Sequence, residues 1–528
     1  MIRHDDPNQL SLPGFEKFFG IALDKQNRWV KLSEVIPWDE FAKAYNQNMS
    51  SGKGRPAKPA RLVIGAVIIK HKLCLSDEET IDQIRENPYL QYFVGLPTFQ
   101  TKAPFAPSLF VDIRRRMGEQ VFESFNQSII DKLERKRKSI STRKSDSDKN
   151  DDPPAVGNSN SDSESSTAEE KSDDVHQGKL IIDATVAEQA IRFPTDLGLL
   201  NEAREISEKL IDALYPVSGL NKKPRTYRQN ARKDYLALAK QRNPRKNKRR
   251  AAIRQQLQYV KRNLGHIENL LDLVADESTA FTHRQRRQYW IIQQVYRQQE
   301  EMHRKHIQRC DDRIVSISQP YIRPVVRGKA SKKAEFGAKI GVSLTGNQLA
   351  HVDHLEWDSY YEGHDLPDQV EDYKRRHGHY PEVVIGDPLY GSRKNRSYLK
   401  ERKIRFSGKA LGRPKKETKE NQQQLRDEAK RRKAEYRERI PIEGKFGQGK
   451  NGYRLNYIRA RTQATSEAWI RTIFLVMNLL VLARSFLRLV KMVLCYSYSV
   501  IKEQFLRSDR LIRELFESKM AINSGCPV

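Results

Sequence analysis

Two aspartates are the first residues of this sequence whose setting suggests chemistry. Asp183 follows the apolar run Leu180-Ile181-Ile182, and Asp387 follows Val383-Val384-Ile385 and Gly386. Runs of this size and flanking read as short buried strands. Each would deliver a carboxylate from its end into a cleft while the strand itself stays buried. Two such carboxylates on adjacent strands supply hard oxygen donors, which suit Mg²⁺ and leave its remaining positions to water and phosphate. A strand-end aspartate is also an ordinary turn residue, so neither one decides the matter alone. On a strongly basic chain, the pair points to metal-dependent phosphoryl transfer.

A third carboxylate comes with partners at regular spacing. Tyr436, Arg439 and Glu443 stand at i, i+3 and i+7, and Lys450 continues the seven-residue step. They share one helix face if the helix runs through Pro441. Proline favours a helix start or a kink there instead. Glu443 would complete a metal cage, with Arg439 and Lys450 holding phosphate oxygens. A solvated charged helix is the plain alternative that the spacing alone leaves open.

The charge identifies the partner that such a site would serve. The 528 residues hold 96 Lys and Arg against 67 Asp and Glu, a formal net charge of +29. That excess points to a polyanion, foremost nucleic acid. It is concentrated in two tracts. Asn221–Arg262 carries 16 Lys and Arg against one acid, and its densest run holds Arg245, Lys246, Lys248, Arg249 and Arg250. Arg393–Lys416 carries 11 against one, beginning with Arg393, Lys394 and Arg396 just after Asp387. These residues are read as candidate phosphate contacts. The four cysteines lie far apart without a Cys-x-x-Cys pair, which excludes a disulfide scaffold and a cysteine zinc site. The start MIRHDDPNQL lacks an apolar core, so no secretory signal is expected. The most apolar stretch, Ile473–Ala483, has 11 residues, short of the about 17–25 a membrane span needs. A soluble, cytoplasmic protein with no membrane partner is expected.

These residues require elements to position them. Residues 1–138 read as an all-helical amino-terminal domain. Ser76 and Glu79 form a capping box, Ser108 caps a long following helix, and Arg114, Arg115 and Arg116 stand on that helix, a pattern compatible with a helix-turn-helix reader of DNA ends and equally with any small helical bundle. Residues 139–178 hold ten Ser and ten acids against four Lys and Arg, and read as a disordered acidic linker. Residues 179–495 form the catalytic domain. It opens on the strand KLIIDATVAE, is interrupted by a basic helical insertion at about 199–312, and resumes with strands FGAKIGVSLTG, QLAHVDHLEW, EVVIGD and IRFSG. Residues 496–528 read as a helical tail. The alternation gives an α/β or α+β catalytic core, taken as α/β. HVDHLEWDSYYEGHD (351–365) is rich in His and acids, but strand alternation puts His351 and Asp353 on one face and His354 on the other, which favours structural roles over metal binding.

The spacing of Tyr436, Arg439, Glu443 and Lys450 resembles the Y-(2)-R-(3)-E-(6)-K signature of bacterial insertion-sequence DDE transposases. The surrounding IIDATV, FPTDLGLLNEA, QPYIRPVVRGKA, EFGAKI and GDPLYGSRKNRSYLKE agree, in order, over about residues 55–485. The resemblance implies an RNase H-like core with Asp183, Asp387 and Glu443 as the catalytic and metal-binding triad. It also implies two Mg²⁺ ions, which Mn²⁺ would replace, assisting in-line attack by water and then by the freed 3′-OH. The implied partners are double-stranded DNA, as the element's terminal inverted repeats and as target, and a second copy of the chain, in a homodimer or higher synaptic assembly. The implied place is the bacterial cytoplasm, at the nucleoid. An RNase H-like nuclease without strand transfer, or an inactive DNA-binding derivative, are the alternatives.

Overall fold

The computed structural model describes residues 17–18, 21–47, 49, 56–145, 176–274, 280–326, 334–413, 418 and 420–486. The amino-terminal unit is helical, with one departure from the all-helical expectation. A two-residue antiparallel ladder, β1 (Lys17–Phe18) with β2 (Ile21–Ala22), precedes the first helix. The capping box is present: the Ser76 hydroxyl accepts from Glu79 N–H, and Glu79 accepts from Ser76 N–H at 2.7 Å. Ser108 makes no cap hydrogen bond, and the expected long helix is two, Leu109–Arg116 and Glu119–Ser145, parted at Met117–Gly118. The break lets Met117 and Val121 both enter the core. The second helix continues to Ser145, seven residues into the expected linker. The rest of that linker, 146–175, and the expected tail, 496–528, lie outside the described residues.

The largest sheet is mixed. β3 (Lys179–Glu188) lies at its centre, antiparallel to β5 (Glu335–Thr345) and parallel to β7 (Val383–Ile385). β6 (Ala350–Glu356) pairs antiparallel with β5, β8 (Arg405–Phe406) pairs parallel with β7, and β4 (Pro324–Val325) pairs with the start of β5. β3 is buried on both faces, as the central strand of a sheet covered on both sides must be. Leu180 and Ile182 pack under the helix Leu366–His377, and Ile181 packs on the opposite side. Gly337 is needed where β5 meets the end of β3, since a Cβ there would lie 1.9 Å from the Ala187 carbonyl oxygen. Between β3 and β4 stands the helical insertion: Asp196–Leu214, Arg228–Ala239, Lys246–Leu271 and His283–Lys305, around a core of its own.

The helix Gln463–Phe486 explains the apolar run near the carboxyl end. It is 24 residues long and apolar enough to cross a membrane by length and composition, so the expectation based on an 11-residue run is corrected. Its burial is what accounts for it, since 72% of the apolar window is covered by protein. Ile470, Ile473, Phe474 and Met477 enter the sheet's core, whereas Leu475, Val476, Leu479 and Leu482 enter the amino-terminal core. A helix packed on two sides is hydrophobic all round. Asn478 pins it, exchanging hydrogen bonds with the Ala350 backbone (2.9 and 2.8 Å) and donating to Asn126 (3.1 Å).

Arg114 belongs to this seam and not to a DNA-reading face. It is 6% exposed and holds Asp77 through both guanidinium nitrogens (2.9 and 2.8 Å), while Lys70 Nζ reaches the same carboxylate at 2.9 Å. Both cations lie against the Trp469 ring, 5.4 and 4.8 Å from its centroid. Burial alone would raise the Asp77 pKa, but the hydrogen bonds and charges of Arg114 and Lys70 outweigh it and hold the carboxyl below its ordinary 3.8. An acid with a depressed folded pKa contributes stability above its unfolded value and loses it as pH falls through the folded one. Asp77→Asn leaves two buried cations uncompensated and is expected to cost about 3 kcal/mol, measured by urea unfolding at pH 7. The gap between mutant and wild type should narrow below about pH 4. A constant gap down to pH 3 would show that the ion pairs are not its source.

Candidate active site

The parallel register of β3 and β7 aligns Lys179 with Val383, Leu180 with Val384 and Ile181 with Ile385. Continued by two residues, it sets Asp183 level with Asp387. Asp183 is not at a strand end as expected. It lies inside the ten-residue β3, opposite Val342 of β5. Its carboxylate is reachable because the other neighbour, β7, has already ended at Ile385. Asp387 begins the next short turn, Pro388–Tyr390. Ile181 and Ile385 face one core, and their residues two further on continue that side.

The helix Ile440–Gly452 covers that side, seating Ile442 and Phe446 in the same core. It does not continue the preceding helix, Gln422–Glu438. Arg439 is the shared cap, and Pro441 lies in the first turn of the new helix, where its missing N–H costs nothing. Tyr436, Arg439 and Glu443 therefore straddle a helix junction. Arg439 stands between the carboxylates, with Nη1 at 3.3 Å from Asp387 and Nη2 at 2.8 Å from Glu443. Tyr436 is exposed beneath it, its ring centroid 5.6 Å from the guanidinium carbon. Lys450 lies at the far end of the helix, about 10 Å from Glu443 at 1.5 Å per residue. It is 3.9 Å from buried Glu335, so the fold does not bring it to the carboxylates.

Burial pushes the Asp183 carboxyl above its ordinary range. A hydrogen bond from the Ala184 N–H (2.8 Å) and the Arg439 charge oppose this, while Glu362 and Asp387 add to it. Burial would lower Arg439, but the hydrogen bond to Glu443 and the charges of Asp183, Asp387 and Glu443 raise it instead. Three carboxylates around one guanidinium form a concentrated negative site. The donors are the hard oxygens a divalent cation of the Mg²⁺ type takes. Among the described residues, no three His, Cys, Asp or Glu side chains are already gathered as a metal cluster. Glu443, turned onto Arg439 and more than half exposed, is the group that would have to move.

Two residues of this region escaped the sequence reading. Glu362, in the turn Glu362–His364, acts on Asp183 through space and is itself paired with Lys339 at 2.9 Å. Asn395 is buried and donates to the carbonyls of Gly363 (2.6 Å) and Tyr390 (2.9 Å), clamping that turn to the one after Asp387. Glu362 stood among the acids of 351–365, but no spacing rule tied it to Asp183. The other members of that segment are structural: Asp353 pairs with Arg376 at 2.7 Å, and His354 with Asp365 at 2.9 Å.

The basic candidates divide. Arg393 and Lys394 are exposed at the start of the helix Arg393–Glu401. Arg396 is engaged, donating to the Gly391 carbonyl at 3.0 Å and to that of Lys409 and stacking over Phe406. In the insertion, Arg245 caps the helix Lys246–Leu271, and Arg245, Lys246, Lys248 and Arg249 are exposed. Arg250 instead leans on His306 and the His303 carbonyl.

Comparison with known proteins gives two family matches. Residues 19–116 match a family described as "Transposase domain (DUF772)", and residues 384–480 match one described as "Transposase DDE domain". The second segment contains Asp387, Arg439, Glu443 and Lys450, and begins well after Asp183. A curated Rhizobium meliloti protein, described as "Uncharacterized protein ORF8 in nfe locus", is 36% identical over 109 residues, which is 21% of this chain. The match spans about half of that relative, 52% of its length. No solved structure matches the chain significantly.

Proposed function

We propose that this chain, which matches two transposase domain families over residues 19–116 and 384–480, cuts the ends of an insertion sequence and joins them to target DNA. One observation carries the reading. The β3–β7 register sets Asp183 beside Asp387, and Arg439 ties Asp387 to Glu443 from the covering helix. The RNase H-like reading of the core rests on the same mixed sheet, with Asp183 inside β3 and Asp387 just past the end of its parallel neighbour β7.

Asp183, Asp387 and Glu443 would hold divalent metal, which when bound activates an attacking oxygen and stabilises a leaving one. The remaining work falls to the chain. Arg439 offers a planar fork to phosphate oxygens once its carboxylate partners are engaged elsewhere. The clamp made by Asn395 keeps the turn after Asp387 fixed against the one carrying Glu362. The attacking groups are a water and then the 3′-OH it frees, so no nucleophilic side chain is required. Exposed Lys246, Lys248, Arg249, Arg393 and Lys394 supply sequence-independent grip on the duplex. Holding two element ends at once calls for at least a dimer.

The test is purified chain with end-labelled DNA from the flanks of its own gene, in Mg²⁺ or Mn²⁺ against EDTA. Cleavage at a defined terminus, followed by a joined product and abolished by EDTA, is expected. Cleavage without joining would leave a nuclease, and specific binding without cleavage in either metal would leave a DNA-binding derivative.

A further inference from the structure

Beyond the helix that carries Glu443, the chain passes the end of β3 as Tyr457-Ile458-Arg459-Ala460-Arg461, in the same direction as β3. Its backbone is fixed. Ile458 bridges Gln189 just past the end of β3, its N–H donating to the Glu188 carbonyl and its own carbonyl accepting from Ala190, both at 2.9 Å. Leu455 and Ile458 are wholly buried, Ala460 is buried, and the Leu455 N–H donates to the Gly449 carbonyl at 2.9 Å. The residues between them face outward: Tyr457 is 52% exposed, and Arg454, Arg459 and Arg461 are exposed. Arg454 takes a left-handed φ of 55°, a conformation that costs a non-glycine residue about 1 kcal/mol or more. Among the described residues, none of these three arginines has a carboxylate within 4 Å. Glu79 lies within Coulombic reach of Arg454 and Arg459, but its carboxylate is committed to the Ser76 capping box.

We infer that Arg454, Tyr457, Arg459 and Arg461 form a preformed rail for the phosphate backbone of double-stranded DNA, an inference that rests on the reading of the chain as a DNA transposase. The occupant follows from charge and geometry. The rail presents three cations and a phenol hydroxyl, groups that suit the phosphates of a polyanion. Alternate residues of extended chain are about 6.6 Å apart, two axial phosphate steps of about 3.4 Å. Because the anchored backbone presents these side chains at fixed spacing, less freedom is lost on binding than from a loose basic loop. Gln189 stands six residues beyond Asp183 on the β3 path, about 20 Å. A duplex whose scissile phosphate meets the carboxylates would reach the rail about six base pairs away.

The test is the salt dependence of duplex binding by the full chain in EDTA, which removes cleavage from the measurement. The double variant Arg459→Gln/Arg461→Gln should bind more weakly, with a log–log salt slope shallower by about 1.8, or 0.9 per lost phosphate contact. Arg459→Lys/Arg461→Lys keeps both charges and should retain the wild-type slope. A Gln variant with wild-type slope and melting temperature would overturn the rail while leaving the transposase reading intact. Equal loss in the Lys variant would also overturn it, since charge would not be the cause. A wild-type chain with no salt-dependent binding to DNA would sink both readings together.

Discussion

Glu443→Ala is expected to abolish metal-dependent cleavage while leaving duplex affinity within about twofold of wild type. The two halves of this result have separate causes. Glu443 is more than half exposed and accepts a hydrogen bond from Arg439, so removing it costs about as little as losing a surface ion pair. The helix beneath it stays seated through Ile442 and Phe446. The loss of a carboxylate metal ligand removes several kcal/mol of charge stabilisation from the transition state, a rate loss on the order of 10³ or more. Taking a negative charge from a surface that faces phosphate cannot weaken binding electrostatically. Asp387→Ala should match it in cleavage, because the same cage is broken from the strand side. Parallel measurements of cleavage, duplex binding and melting temperature decide the matter. A drop in binding and melting temperature along with activity would assign Glu443 a structural role.

The sheet was legible because its strands announce themselves. Leu180-Ile181-Ile182 and Val383-Val384-Ile385 are apolar runs too short for helices, and the alternation within each already fixes which face its aspartate continues. The difference of 204 residues between Asp183 and Asp387 equals the offset of the observed register, from Lys179 to Val383. That equality cannot be read without knowing that the two strands are neighbours. The helix junction at Arg439 was foreseeable from Pro441, since a proline in the first turn is a local rule. The fate of the cations was not. Arg114 looked like part of a basic stripe and is instead buried against Asp77 and Trp469, more than 350 residues apart from one another in the latter case. Lys450 keeps the spacing of the signature, yet the length of its helix carries it to Glu335. Partners supplied by distant elements leave no periodicity, and for that reason Glu362 and Asn395 were missed as well.

Arg439→Ala carries the second large expectation, and it runs in two directions. This guanidinium holds Asp387 and Glu443 and acts on Asp183. Any divalent ion that takes these carboxylates must displace those contacts and approach a fixed positive charge. Removing Arg439 relieves both penalties, so Mn²⁺ affinity without DNA should rise tenfold or more, about 1.4 kcal/mol. The metal-free variant should melt lower, because three carboxylates then face one another without compensation, and Mn²⁺ should raise its melting temperature more than that of wild type. Cleavage should nonetheless fall by about 10² or more, since the fork that would hold a phosphate is gone. Arg439→Lys, a point charge without the planar fork, should lie between the two in metal affinity and still be impaired in cleavage. Calorimetric titration with Mn²⁺ separates the effects: unchanged affinity in Arg439→Ala would mean that Arg439 does not compete with metal. If affinity rises while cleavage falls, the same arginine occupies the carboxylates before metal arrives and serves phosphate afterwards.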